Sequence, residues 1–211
     1  MLKWIFLMIL LMVSLGAMTQ PPGYQPLTDQ TGFKEQFAMA SRKTQSIRSD
    51  FVQEKNMSML SEKIVSRGKF WFKKDNLLRM EYTQPFSYLM IINKNNLYIK
   101  DGTKENRVST GSNKLFKQIN KITVDCVQGT ALENGDFSSR IFENQKAYLV
   151  ELTPVEKNLK SYFRNIQITV DKRDYSVINI DMEELSGDNT LIRFINKELN
   201  ITLPDALFAI N

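Results

Sequence analysis

From Ile47 onward, apolar residues recur at every second position, and short polar turns repeatedly interrupt the repeat. Side chains of a strand alternate between its two faces, so this rhythm predicts a meander of half-buried strands. Strands are expected at Ile47–Met57, Ile64–Phe72, Leu77–Tyr82, Tyr88–Ile92, Leu97–Lys100 and Glu105–Ser109. Their separators, such as Lys74–Asn76, Asn93–Asn96 and Asp101–Gly102, are too short for parallel crossovers, so neighbours must run antiparallel. Strands resume at Phe137–Glu143, Ala147–Leu152, Phe163–Val170, Val177–Glu183 and Thr190–Asn196, with an extended piece around Phe208. Ile166, Ile168 and Val170 share one face, as do Ile178, Ile180 and Met182, while Gln167, Thr169, Asn179, Asp181 and Glu183 alternate with them. One dry and one wet face is the signature of an antiparallel sheet.

Two stretches follow the helical period instead. Gly32–Thr44 places Phe33, Phe37 and Ala40 on one stripe, with Asp29 or Thr31 available as N-cap. Asn113–Gly129 aligns Leu115, Ile119, Ile122 and Cys126, flanked by Phe116 and Val127, opposite Lys114, Lys117, Gln118 and Lys121. Gly129 supplies a stop. An amphipathic helix between two groups of strands must bury its stripe, and about ten strands in one sheet will curl. The expected architecture is mainly β (α+β). It is a strongly curved, unclosed antiparallel β-barrel of about ten to eleven strands, with helices covering its concave face.

Residues 1–19 carry Lys3, then an apolar run from Trp4 to Leu15 broken only by Ser14, then small residues. This is the layout of a secretory signal peptide, and the run is short for a membrane span. Pro21, Pro22 and Gly23 open a linker over residues 20–30, leaving 31–211 as a single domain. The chain is expected to be exported. Composition then narrows the chemistry. The chain has no histidine and one cysteine, which removes Ser-His-Asp and Cys-His catalysis, His-containing metal sites, thiolate zinc centres and an internal disulfide. Cys126 is expected to act as a small buried hydrophobe. The net charge of +5 suits an acidic partner or an anionic membrane surface better than nucleic acid in an exported protein. Asp181, Glu183 and Glu184 are the one carboxylate cluster that could suggest glycoside hydrolysis. Their alternation with Ile180 and Met182 fits a wet strand face. No enzyme, cofactor or metal is expected.

The segment Asp50-Phe51-Val52-Gln53, the run Gly68-Lys69-Phe70-Trp71-Phe72-Lys73-Lys74-Asp75-Asn76 and the strand end Tyr82-Thr83-Gln84-Pro85 together resemble the signature region of the LolA-like periplasmic lipoprotein carriers. The detailed match covers roughly residues 47–102. The resemblance implies an unclosed barrel with a helical lid over an apolar cavity. It further implies a monomeric carrier that shields the acyl chains of lipoproteins between the inner and outer membranes. The implied partners are an inner-membrane ABC-type release complex and an outer-membrane acceptor. Another envelope lipid, such as a glycolipid, fatty acid or polyene, is the alternative cargo, and a lipid sensor is the alternative role. Placed on this chain, the cavity wall is Phe51, Phe70, Phe72, Leu78, Met80, Met90, Ile92, Ile168, Ile180 and Met182. The lid is Leu115, Phe116, Ile119 and Ile122. The family links the basic residue after the second strand to lid opening, which by position is Lys74, with Lys73 as the alternative. The family's usual Arg-Pro is Lys74-Asp75 here, and lysine lacks the planar fork of arginine.

Overall fold

The computed structural model describes residues 20–59, 63–74, 76–94, 96–102, 104–109, 122–133 and 135–210. The described residues form one antiparallel sheet of twelve strands, in the spatial order β1-β8-β9-β10-β11-β12-β2-β3-β4-β5-β6-β7. The strands are β1 (Gln25–Pro26), β2 (Ser46–Asn56), β3 (Lys63–Lys73), β4 (Leu77–Gln84), β5 (Tyr88–Asn93), β6 (Asn96–Asp101) and β7 (Lys104–Ser109). β8 (Phe137–Glu143), β9 (Ala147–Pro154), β10 (Phe163–Asp171), β11 (Val177–Glu184) and β12 (Asn189–Leu199) complete them. The two ends, β1 and β7, are not paired with each other, so the sheet is a curved half-barrel rather than a closed one.

The chain builds this sheet in two passes. β2 to β7 grow outward by hairpins; β8 to β12 return from the far edge, and β12 closes against β2 with Phe194 opposite Phe51. β7 and β8 therefore lie near opposite edges and are joined by a long intervening segment. Its described portion, 122–128, is a helix, α2, and its Ile122 and Cys126 are buried in the same core as the inward strand residues. The first helix, α1 (Gln30–Lys43), lies on this face too, through Phe33 and Phe37. Asp29 caps it, its carboxylate accepting from Gly32 N–H at 2.8 Å.

Every expected strand is present, with ends shifted by a few residues. The periodicity missed four details. Gln25–Pro26, within the expected linker, pairs with Phe142 and Glu143 of β8. A short helix, α3 (Lys157–Lys160), joins β9 to β10. The register slips between Thr169 and Val170, so Val177 takes the buried place expected for Ile178. Phe208 ends a 3₁₀ turn, Asp205–Phe208, rather than an extended piece. That turn packs Leu203 and Phe208 onto the outer face against Ile91 and Tyr98, and Arg79 and Asn93 hold the carbonyls of Leu207 and Phe208 at 3.2 and 3.0 Å.

Gly68 shows why the signature residues occur together. A Cβ at this position would meet the carbonyl oxygen of Glu81 and the Phe51 ring. The ring thus lies flat over the glycine, Tyr82 meets it edge-on at 4.9 Å, and the Tyr82 hydroxyl donates to Gln53 Oε1 at 2.9 Å. Gly68→Ala should cost about 1–3 kcal/mol through overpacking. At roughly 2–4 °C per kcal/mol for a chain of this size, the melting temperature should fall by about 3–10 °C. Thermal denaturation followed by circular dichroism checks this; an unchanged midpoint would mean that β3 shifts to make room.

Candidate functional site

The inward face is built from register. Phe72, Leu78, Ile92 and Leu97 stand opposite one another across β3 to β6; Phe70, Met80, Met90 and Ile99 form the next row. On the other half, Val150, Ile168, Ile180 and Ile192 run across β9 to β12. Of the ten expected wall residues, nine are buried and Ile92 is partly buried, and all ten belong to one apolar cluster. That cluster also contains Ile141, Val150, Leu152, Ile166, Ile192 and Phe194, which the sequence reading did not assign to the wall. Their alternation in β8 to β12 was visible, but nothing local distinguished them from ordinary core.

The space over this face is occupied by the chain itself. Phe33 stacks on Phe37 at 5.7 Å and meets Tyr148 at 4.5 Å, while Tyr148 stacks on Tyr175. Burial and the neighbouring tyrosine push the Tyr148 phenol up to about 12. Ile122 and Cys126 fill the other side, and Cys126 is a fully buried thiol, as expected. Gly129 ends α2 at a left-handed φ of 75°, where a Cβ would strike the Ser41 hydroxyl. The glycine thus lets the two helices touch. Of the expected lid residues, Ile122 is buried; Leu115, Phe116 and Ile119 lie outside the described residues.

The β3–β4 turn reaches both helices. Lys74 Nζ donates to the carbonyl of Arg42 in the last turn of α1 at 2.8 Å, and Gln128 Nε2 donates to Asn76 Oδ1 at 3.2 Å. A cation at a helix C-terminus meets carbonyls that have no partner within the helix, together with the negative end of the dipole. Lys73 points to the other face, where it binds Asp205 at 2.5 Å and the Leu203 carbonyl. Adjacent strand residues face opposite ways, which separates the two lysines that the sequence left as alternatives.

Among the described residues, an enclosed cleft lies between the helices and the sheet. It has a volume of about 20 Å³ and lies among Ser41 and Thr44 of α1, Val127 of α2, Ile47, Phe70, Phe194, Lys197 and Leu199, and the β10–β11 turn Tyr175–Val177. A drug-sized ligand pocket needs roughly 300–1,000 Å³, so in this closed form the cleft has space for about one water. Lys197 was missed from the sequence. It is partly buried, and desolvation lowers its ammonium pKa below the ordinary lysine value. The expected carboxylate cluster does not form a catalytic pair: Asp181 accepts from Asn189, Glu183 pairs with Arg164 at 2.7 Å and Glu184 pairs with Lys55. No group of metal-ligating side chains occurs among the described residues, and no described helix is long and apolar enough to cross a membrane.

Among solved structures, a complex of MucA and MucB from Pseudomonas aeruginosa matches with a TM-score of 0.52 and 12% identity, over 87% of this chain and 61% of that one. A LolA superfamily protein, NE2245, from Nitrosomonas europaea matches with a TM-score of 0.48 and 12% identity, over 85% of this chain and 97% of that one. A putative outer membrane lipoprotein-sorting protein domain from Vibrio parahaemolyticus gives 0.44 and 9%, over 84% and 94%. No curated protein matches the chain by sequence. The family model described as outer membrane lipoprotein carrier protein LolA matches residues 42–211. That span takes in every strand but the two-residue β1, together with the last turn of α1 and all of α2, and the chain belongs to the LolA family.

Proposed function

We propose that this chain is a monomeric periplasmic carrier, exported by a signal peptide at residues 1–19, that shields the acyl chains of lipoproteins on the inward face of its sheet. Cargo is taken from an ATP-driven release complex of the inner membrane and passed to an outer-membrane acceptor. The chain itself turns nothing over. A glycolipid, fatty acid or polyene is the alternative cargo. The observation that carries the reading is a continuous apolar sheet face covered by two helices whose C-terminal ends are latched through exposed hydrogen bonds at one turn.

Magnitudes favour a cover that must be displaced. Burying a methylene is worth about 0.8 kcal/mol, so a 16-carbon chain gains on the order of 12 kcal/mol. Three such chains would exceed the practical ceiling of roughly 20 kcal/mol and would never leave. Uncovering Phe33, Phe37 and Ile122 costs about 1.5–3 kcal/mol each, or about 5–9 kcal/mol in all. For one chain that offset leaves a net gain of roughly 3–7 kcal/mol, which is reversible, and a three-chain anchor stays releasable only if part of its length is left unburied. Met80, Met90 and Met182 add pliable wall that adapts to irregular chains.

The protein purified from periplasm should bring triacylated peptides with it, identified by mass spectrometry; recovery of glycolipid or polyene alone would redirect the cargo, and no acyl material at all would remove the carrier. A photo-crosslinking residue in place of Phe72 or Met90 should label an acyl probe, and labelling confined to outward positions such as Trp71 would place the chains elsewhere. Lys74→Met should loosen the cover by about 0.5–1 kcal/mol. Exchange of a fluorescent acyl probe should then speed up by roughly 2- to 5-fold in stopped flow. An unchanged rate would exclude Lys74 from the gate.

A further inference from the structure

β12 carries a feature that neither packing nor the acyl-chain reading accounts for. Thr190, Ile192 and Phe194 face inward at period two, and strict alternation would bring Asn196 in next. Instead the register slips between Ile195 and Glu198, with Asn196 at a left-handed φ of 53°. The bulge sends Asn196 outward, where its side chain donates to Asp50 Oδ2 at 2.9 Å, and turns Lys197 onto the inward side beside Leu199. Bulges re-aim side chains in this way, and they concentrate near functional sites. Here the residue brought in is a cation on an apolar wall, which costs free energy unless the charge is matched.

That charge is incompletely matched. An ammonium has three donors. Lys197 Nζ gives one to the Ser176 hydroxyl and one to the Val177 carbonyl at 3.1 Å, and among the described residues no carboxylate forms an ion pair with it. Of the acids nearby, Asp171 is paired with Arg173 at 2.6 Å, and Asp174 accepts from the Ser176 hydroxyl, so its charge supports the ammonium through that hydroxyl rather than by direct contact. The ammonium lies on the wall of the enclosed cleft, whose other lining includes Ile47, Phe70, Val127 and Phe194. One polar corner with a cation, continuous with an apolar wall, is the outline of a long-chain carboxylate.

We propose that Lys197 anchors the carboxylate of a fatty acid, with the chain running from the cleft along Phe70 and Phe194 under the displaced helices. A charge-assisted bond on the carboxylate is roughly twice as strong as a neutral one. The inference rests on the reading that the inward face takes acyl chains, and it adds a headgroup preference to it.

Competition of oleate and methyl oleate against a neutral fluorescent acyl probe tests it on the full mature chain. The wild type should bind oleate roughly 10- to 100-fold more tightly than the ester, the range of a hydrogen bond to a charged group. Lys197→Met should erase that difference while leaving methyl oleate binding unchanged, and Lys197→Arg should restore part of it. The melting temperature of Lys197→Met should hold or rise, because an incompletely matched buried charge has been removed. Equal binding of acid and ester by the wild type overturns the anchor and leaves the carrier standing. Loss of both ligands together with a lowered melting temperature in Lys197→Met makes Lys197 a structural tie and also overturns the anchor. Failure of the wild type to bind either ligand sinks the anchor and the acyl-chain reading together.

Discussion

The structure depends on keeping one side of a very wide sheet out of water. Twelve antiparallel strands present an apolar inner face, and no second sheet lies over it among the described residues. Twist alone curls such a sheet, because each strand is rotated against its neighbour in the same sense. Curling brings inward side chains toward one another but does not close the gap between β1 and β7. The remaining exposure is covered by helices, and Phe33, Phe37, Ile122 and Cys126 are the residues that reach the sheet core. The core is thus completed by helices as well as by sheet.

The outer side is treated differently along its length. Over β3 to β6 it is apolar and is covered by the C-terminal segment, where Leu203 and Phe208 bury Ile91 and Tyr98. Arg79 lies over the Trp71 ring at 5.7 Å and also binds the Leu207 carbonyl, so one cation fixes both ring and tail. Toward β10 to β12 the outer face carries partnered charge instead, with Arg164 on Glu183 and Arg193 on Glu54. The half of the sheet that holds the latch to the helices is thus braced from behind.

Polar groups on the inner side are few among the described residues, and several have a defined partner. Ser49 donates to the Ile195 carbonyl, Gln53 accepts from Tyr82, and Lys55 pairs with Glu184. This follows from the cost of leaving a buried polar group without a hydrogen bond. Lys197 differs because its donors exceed its acceptors in the closed form.

Much of this molecule is legible from its residues alone. Period-two alternation in the chain determined the strands, the antiparallel pairing of chain neighbours and which residues share a face, because the sign of a strand face is a local property. Asp29 and Phe33-x-x-x-Phe37 were enough to place α1 and its stripe. The family signature was legible as a motif, yet its physical sense came only when Gly68 was seen to vacate space for the Phe51 ring. Tertiary structure decided what depends on residues far apart in the chain. These include the meeting of β12 with β2, the seating of α2 on the inner face, and the choice of Lys74 over Lys73 at the end of α1. The slip that moves Val177 inward and the one that turns in Lys197 belong here as well. A bulge is a compromise between two paired strands, and neither strand's own sequence records which residue will be left over.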